Sequence, residues 1–127
     1  MEQIDELIKK KIVITDDDID TLDLLKEYLE SENFEVFTVV NGIQLFEIIK
    51  LHKPDLILLD IMMNWISGYD LCKALKETPD LKKIPIIFIS ARTSDDDVQL
   101  GFSSGANDYI KKPFELNKLL NKINQYI

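Results

Sequence analysis

The chain has few cysteines, histidines and glycines, the residues that form disulfides, bind zinc and build nucleotide-binding loops. Its 127 residues include one cysteine, Cys72, so no internal disulfide can form and we expect a reducing, cytoplasmic location. A single histidine, His52, excludes a histidine cluster for zinc; near a predicted helix end, it is interpreted as a surface residue. The four glycines form no G-x-x-x-x-G-K or G-x-G-x-x-G pattern, so these nucleotide sites are not predicted.

Long apolar runs and an excess of positive charge are also missing. No apolar stretch approaches the roughly 18 residues of a membrane span, and residues 1–10 lack the apolar segment of a signal peptide. The chain has 23 acidic and 15 basic residues, a net charge of -8. This balance disfavours direct nucleic-acid binding by the domain and favours the binding of a cation.

Short apolar runs alternate with stretches of helical spacing. The runs at 11–15, 35–40, 55–59, 84–90 and 108–112 predict five strands. The clearest helical stripe is Leu116, Leu119, Leu120, Ile123 and Ile127. This alternation predicts an α/β fold with one doubly wound parallel sheet, a flavodoxin-like (βα)5 domain of strand order 2-1-3-4-5. We expect residues 11–127 to form the domain and residues 1–10 to be a leader or an extra helical turn.

Polar side chains stand at the predicted strand ends, where the ligand crevice of such a sheet lies. Asp16 and Asp17 follow the first strand, Asp60 follows the third, Ser90 ends the fourth and residues 111–112 (Lys-Lys) end the fifth. Because the first and third strands are neighbours in this order, their carboxylates should converge and repel unless a hard cation such as Mg²⁺ binds. Carboxylate, cation, hydroxyl and ammonium together suit a phosphoryl group, which a carboxylate can accept covalently.

Four stretches in order, KIVITDDD, LILLDIMM, FISAR and GANDYIKKPF, resemble the CheY-like receiver (REC) domain of two-component response regulators. The resemblance runs from about Lys11 to Ile127. It implies a phosphoacceptor switch that takes a phosphoryl group from the phospho-histidine of a sensor histidine kinase or a phosphotransfer protein. Such a domain catalyses only its own phosphorylation and dephosphorylation and is not a conventional enzyme. The resemblance also allows a homodimer through the fourth helix, fifth strand and fifth helix, the face expected to change on phosphorylation.

The resemblance further implies a phosphoacceptor and a metal site. Asp60 matches the phosphoacceptor. Asp16 and Asp17 match the acidic pair that binds Mg²⁺, together with Asp60 and the backbone carbonyl of Met62. One position departs from the family pattern, because Asn64 stands where the family usually has proline.

The switch residues are implied in the same way. Ser90 matches the family's hydroxyl residue that bonds the phosphoryl group. Lys112, directly before Pro113, matches the family's lysine, whereas Lys111 does not. Tyr109 matches the aromatic residue that changes rotamer on activation, although ordinary packing would give the same pattern.

Other functions fit parts of the pattern. The stretch DIDTL (18–22) resembles the start of haloacid-dehalogenase-like phosphatases, in which Asp18 would be the acceptor and Asp60 would be idle. An EF-hand calcium loop would place acidic residues at loop positions 1, 3, 5 and 12, as the chain does with Asp16, Asp18, Asp20 and Glu27. However, Thr21 stands where that loop needs glycine, and a predicted strand rather than a helix precedes it. A receiver that docks a partner without phosphorylation is disfavoured by the complete set of site residues.

Overall fold

The chain alternates strands and helices throughout the residues that the structure, a computed structural model, describes: 8–61, 67–92 and 94–127. The strands are β1 (Lys11–Thr15), β2 (Glu35–Val39), β3 (Leu56–Asp60), β4 (Ile86–Ser90) and β5 (Asp108–Lys111). The helices are α1 (Ile19–Ser31), α2 (Gly42–His52), α3 (Gly68–Glu77), α4 (Asp95–Ser103) and α5 (Leu116–Tyr126). All five predicted strands are confirmed: β1 has the predicted bounds, and the other four differ by one or two residues at one or both ends. Asp60 is the last residue of β3 rather than the first after it, and Lys112 follows β5.

The strands form one parallel sheet in the order β2-β1-β3-β4-β5, which confirms the predicted topology. Thr15 of β1 pairs with Leu59 of β3, and Ser90 of β4 pairs with Lys111 of β5. Because every strand runs in the same direction, all the carboxyl ends lie at one edge. The residues that end or follow β1, β3, β4 and β5 are therefore neighbours.

Each face of the sheet is covered by helices. One core contains Leu25 and Leu29 of α1 with Leu119 of α5, and the opposite core contains Leu45 of α2 and Leu71 of α3. All five residues of β3 are buried. Burial on both faces explains why the central strands are continuous apolar runs rather than alternating patterns.

Side-chain caps fix where the helices begin. The side chain of Asn41 accepts a hydrogen bond from the backbone N–H of Gln44 at 2.9 Å, and Ser94 accepts one from Asp97 at 3.1 Å. Each cap is worth about 1 kcal/mol because it satisfies an N–H that has no partner within the helix.

Lys76, near the end of α3, connects three segments at the amino edge of the sheet. Its ammonium donates to the carbonyls of Lys82 (3.2 Å) and Ile84 (2.9 Å) and to Oδ1 of Asn107 (3.0 Å). The same Oδ1 accepts the N–H of Ile86 at 3.0 Å. Burial lowers the pKa of Lys76, although this network satisfies all three of its donors.

The sequence also predicted how buried the single cysteine and the single histidine would be. Cys72 is fully buried, as its helical position predicted, and burial raises the pKa of its thiol. His52 is partly exposed and partly buried, and its ring stacks on Phe37 with the centroids 4.0 Å apart, a contact that the surface interpretation did not include. Among the described helices, none combines the length and apolarity needed to cross a bilayer.

Candidate functional site

Three carboxylates converge at the carboxyl edge of the sheet. Asp16 and Asp60 are 3% and 5% exposed, whereas Asp17 is exposed. One carboxylate oxygen from each lies within 4.8 Å of the other two. A single divalent cation could therefore contact all three, and carboxylate oxygens are the ligands that hard cations prefer. The cluster has the composition of a metal site for an ion such as Mg²⁺.

Lys112 lies against the two buried members of this cluster. Its ammonium is 2.9 Å from Oδ2 of Asp16 and 3.5 Å from Oδ2 of Asp60. Burial alone lowers the pKa of Lys112, but the hydrogen bond to Asp16 and the charge of Asp60 outweigh it and raise the pKa. Lys112 therefore stays charged and offsets repulsion between the carboxylates. Lys111, by contrast, is an exposed residue of β5.

Local hydrogen bonds orient the acidic residues. Oδ1 of Asp16 accepts the N–H of Asp18 at 3.0 Å. The backbone N–H of Asp60 donates to Oγ1 of Thr15 at 3.3 Å, a contact that sequence reasoning missed. Asp18 caps α1, where the Thr21 hydroxyl donates to it at 2.7 Å and lowers its pKa. Asp18 is thus engaged at the helix start, which disfavours it as a phosphoacceptor.

Ser90 and Tyr109 are joined through the backbone that follows β4. Ser90 is fully buried, and its hydroxyl accepts the N–H of Arg92 at 3.1 Å. The Tyr109 hydroxyl donates to the carbonyl of Arg92 at 2.7 Å, and the ring is 8% exposed. Burial raises the pKa of Tyr109, while interactions with the hydroxyls of Ser90 and Tyr69 act in the opposite direction. The two predicted switch residues therefore share a polar network.

Tyr69, to which sequence reasoning gave no role, is part of the same network. Its hydroxyl donates to the backbone carbonyl of Asp97 at 3.0 Å, and its ring meets Phe88 edge to face at 5.5 Å. Burial, followed by the nearby Tyr109, raises the pKa of Tyr69 to about 12. No sequence signal marks such a residue, because an aromatic side chain at the start of a helix is ordinarily packing.

The loop after Asp60 is described only at its two ends. The expectations for Met62 as a carbonyl ligand and for Asn64 concern residues outside the described ranges. At the end of the loop, the N–H of Gly68 donates to the carbonyl of Ile61 at 2.9 Å. A Cβ at Gly68 would lie 2.6 Å from the carbonyl oxygen of Asp60, so only glycine allows this approach.

Comparisons with known proteins identify the family of the chain. The family model for the response regulator receiver domain matches residues 12–124. The nisin biosynthesis regulatory protein NisR of Lactococcus lactis is 42% identical over 113 residues, which are 89% of this chain and 48% of NisR. The DNA-binding response regulator MtrA of Mycobacterium tuberculosis is 33% identical over 118 residues, which are 93% of this chain and 50% of MtrA. The chain thus spans about half the length of these relatives.

A solved structure shows the same likeness. The BeF3-activated N-terminal receiver domain of RstA from Klebsiella pneumoniae matches with a TM-score of 0.87 and 32% identity, covering 92% of this chain and 97% of that one. The haloacid-dehalogenase-like alternative is not favoured, because the family match extends over nearly the whole chain and Asp18 serves as a helix cap. The chain belongs to the receiver domain family of two-component response regulators.

Proposed function

We propose that this domain is a Mg²⁺-dependent phosphoacceptor in which Asp60 receives the phosphoryl group. One observation carries the proposal: the buried carboxylate of Asp60 lies between two further carboxylates and the ammonium of Lys112. A sensor histidine kinase or a phosphotransfer protein is the expected donor. The domain catalyses only its own phosphorylation and dephosphorylation, and we place it in the cytoplasm.

The chemistry follows from the positions of these groups. Asp16, Asp17 and Asp60 would hold Mg²⁺, with the Met62 carbonyl as an expected fourth protein ligand; the ion would neutralise charge on the phosphoryl oxygens. A carboxylate oxygen of Asp60 attacks phosphorus, the P–N bond to the donor histidine breaks, and its electron pair remains on the imidazole. Lys112 stabilises the charge on the transferred oxygens.

The switch would act through the face formed by α4, β5 and α5. In this proposal the Ser90 hydroxyl bonds the phosphoryl group, and Tyr109 responds through the network that both residues share with Arg92. The new bonds bias an equilibrium between two arrangements of α4. The same face is the expected surface of a homodimer.

Two further expectations concern the extent and the partners of the domain. We take residues 11–127 as the receiver domain and leave residues 1–10 as a leader or an extra turn; the family match over 12–124 supports this boundary. The net charge of -8 argues against direct nucleic-acid binding by this domain. The relative MtrA is a DNA-binding response regulator, but the chain spans only 50% of its length.

The test is phosphorylation by acetyl phosphate, followed by intact mass and peptide mapping. With Mg²⁺ the wild type should gain one phosphoryl group on Asp60, and EDTA should block the reaction because uncompensated carboxylates repel the anion. Asp60→Asn should abolish labelling, whereas the matched variant Asp18→Asn should retain it. A label that persists in Asp60→Asn and maps to Asp18 would contradict the proposal.

A further inference from the structure

Tyr69 lies on a second connection between the acceptor strand and α4. It is the second residue of α3, and its hydroxyl donates to the Asp97 carbonyl in the first turn of α4. Its ring contacts Phe88, whose ring lies 6.0 Å from that of Tyr109. One side chain of α3 thus contacts the start of α4 and the aromatic cluster beneath it.

The start of α3 is held against the end of β3. The N–H of Gly68 donates to Ile61 at 2.9 Å, and a Cβ at Gly68 would lie 2.6 Å from both the Asp60 carbonyl oxygen and the Ile61 Cα. The hydroxyl of Ser67 accepts the N–H of Tyr69 at 3.1 Å and caps the helix. Because these backbones are in contact, a displacement at the end of β3 also moves Tyr69.

Helix α4 also packs closely on the ring of Tyr109, although less tightly than α3 packs on the end of β3. A Cβ at Gly101 would lie 3.0 Å from Cδ2 of Tyr109 and 3.2 Å from Cδ2 of Phe88. At such distances the helix and the ring cannot move independently, since protein interiors leave no spare space. A residue that holds the first turn of α4 in place therefore also limits where the ring of Tyr109 can move, because Gly101 of the same helix lies against that ring.

We propose that Tyr69 is a positioning residue that couples Asp60 to α4 by a second route, which does not pass through the Ser90 hydroxyl although both routes reach Tyr109. The route runs from the end of β3 through the start of α3 and the Tyr69 hydroxyl to the first turn of α4. It rests on the proposed function, because it concerns how modification of Asp60 is transmitted. The Ser90 route instead runs through the backbone after β4 to Tyr109 on β5.

Tyr69→Phe tests the proposal, because it keeps the ring and removes only the hydroxyl. Tyr126→Phe is the control: it also removes a tyrosine hydroxyl, but one on α5 that contacts the Asn107 carbonyl at 2.9 Å and Oδ2 of Asp108 at 3.0 Å. In protein labelled with ¹³C at the tyrosine rings, NMR follows the Tyr109 ring and the α4 amides. Spectra are compared without and with Mg²⁺ and beryllofluoride, an analogue of the phosphoryl group.

In Tyr69→Phe, beryllofluoride should still bind in an Asp60-dependent manner. The ratio of buried to displaced Tyr109 ring should fall by about two- to tenfold, the effect of losing one net hydrogen bond. The beryllofluoride-induced shifts at Asp97 and Gly101 should shrink accordingly, and Tyr126→Phe should match the wild type. Equal shifts in wild type and Tyr69→Phe, or equal losses in both tyrosine variants, would overturn the proposal.

Ser90→Ala and the double variant with Tyr69→Phe complete the test. Two routes require that Ser90→Ala retains part of the α4 response and that the double variant loses more than either single variant. If Ser90→Ala alone abolishes the α4 response, there is no second route. Beryllofluoride binding that persists unchanged in Asp60→Asn would refute the proposed function itself, and the coupling route with it.

Discussion

At the scale of single residues, Lys111 and Lys112 show how one position along the chain decides a side chain's surroundings. Lys111 is the exposed last residue of β5, whereas the ammonium of Lys112 contacts Asp16 and lies close to Asp60. Two adjacent residues of the same type therefore provide a test with its own control.

Lys112→Ala should slow phosphorylation by acetyl phosphate by about 10- to 100-fold, the effect of losing one charged hydrogen-bond donor. Lys111→Ala should change the rate by less than about twofold, as expected for a solvated lysine. The rates are measured by intact mass at fixed Mg²⁺. Equal effects of the two substitutions would show that Lys112 is not the lysine that acts at Asp60.

Tyr69 should also affect how stability depends on pH. Its pKa of about 12 in the folded protein exceeds the ordinary value of 10.0, so the folded state retains a proton that the unfolded state loses. Its contribution is thus fully present below about pH 10 and is lost as the pH rises toward 12. We expect urea unfolding of Tyr69→Phe to show a shallower loss of stability across this window. A slope equal to that of the wild type would contradict the burial of this hydroxyl.

Residues at strand ends could be predicted from the sequence, because the strand order alone places Asp16 and Asp60 side by side. Tyr69 could not, since its partner is a backbone carbonyl 28 residues away, and backbone carbonyls carry no sequence signal. The stacking of His52 on Phe37 was missed for a similar reason: it depends on how α2 packs on β2.

At the scale of elements, the apolar runs located every strand, and both ends of β1, but placed at least one end of each other strand one or two residues away. The apolar run that begins at Ile84 predicted β4, yet the strand begins at Ile86. An apolar run indicates which residues are buried, but not which of them form hydrogen bonds with a neighbouring strand. The close contact between α3 and β3 was not predictable either. Gly68 is needed there because a backbone lies where a Cβ would be, and the sequence shows only the glycine.

Gly68→Ala should destabilise the domain by about 1–3 kcal/mol, because the added Cβ meets backbone atoms that cannot rotate away. The matched control is Lys73→Ala, an exposed change in the same helix, which should stay within about 0.5 kcal/mol of the wild type. Both values come from chemical unfolding. Wild-type stability in Gly68→Ala would contradict the close approach of α3 to the end of β3.

At the scale of the whole molecule, a net charge of -8 favours the binding of a cation, and the three converging carboxylates give it a site. An ion that binds only the folded state stabilises it by an amount that rises with the logarithm of the ratio of its concentration to the dissociation constant. Mg²⁺ should therefore raise the melting temperature of the domain even without a phosphodonor.

At 100 times the dissociation constant the gain is about 2.7 kcal/mol, or an increase in melting temperature on the order of 10 °C for a domain of this size. Asp17→Asn should remove most of this increase. Asp20→Asn, which makes the same charge change on an exposed residue outside the carboxylate cluster, should keep it. Equal increases in both variants would indicate diffuse charge screening rather than a metal site.

The Lys76 network determines what kind of motion α4 can make. Lys76 holds the segment after α4, where a Cβ at Gly105 would lie 2.8 Å from its Cγ, while its ammonium bonds Asn107. Because the segment directly after α4 is held in this way, we expect α4 to tilt about its carboxyl end rather than to translate along its axis. A 2 Å displacement of its first turn would tilt a helix about 13 Å long by only about 9°. On phosphorylation, amide exchange should thus change at Asp97 but not at Asn107; equal changes at both would mean that the helix translates.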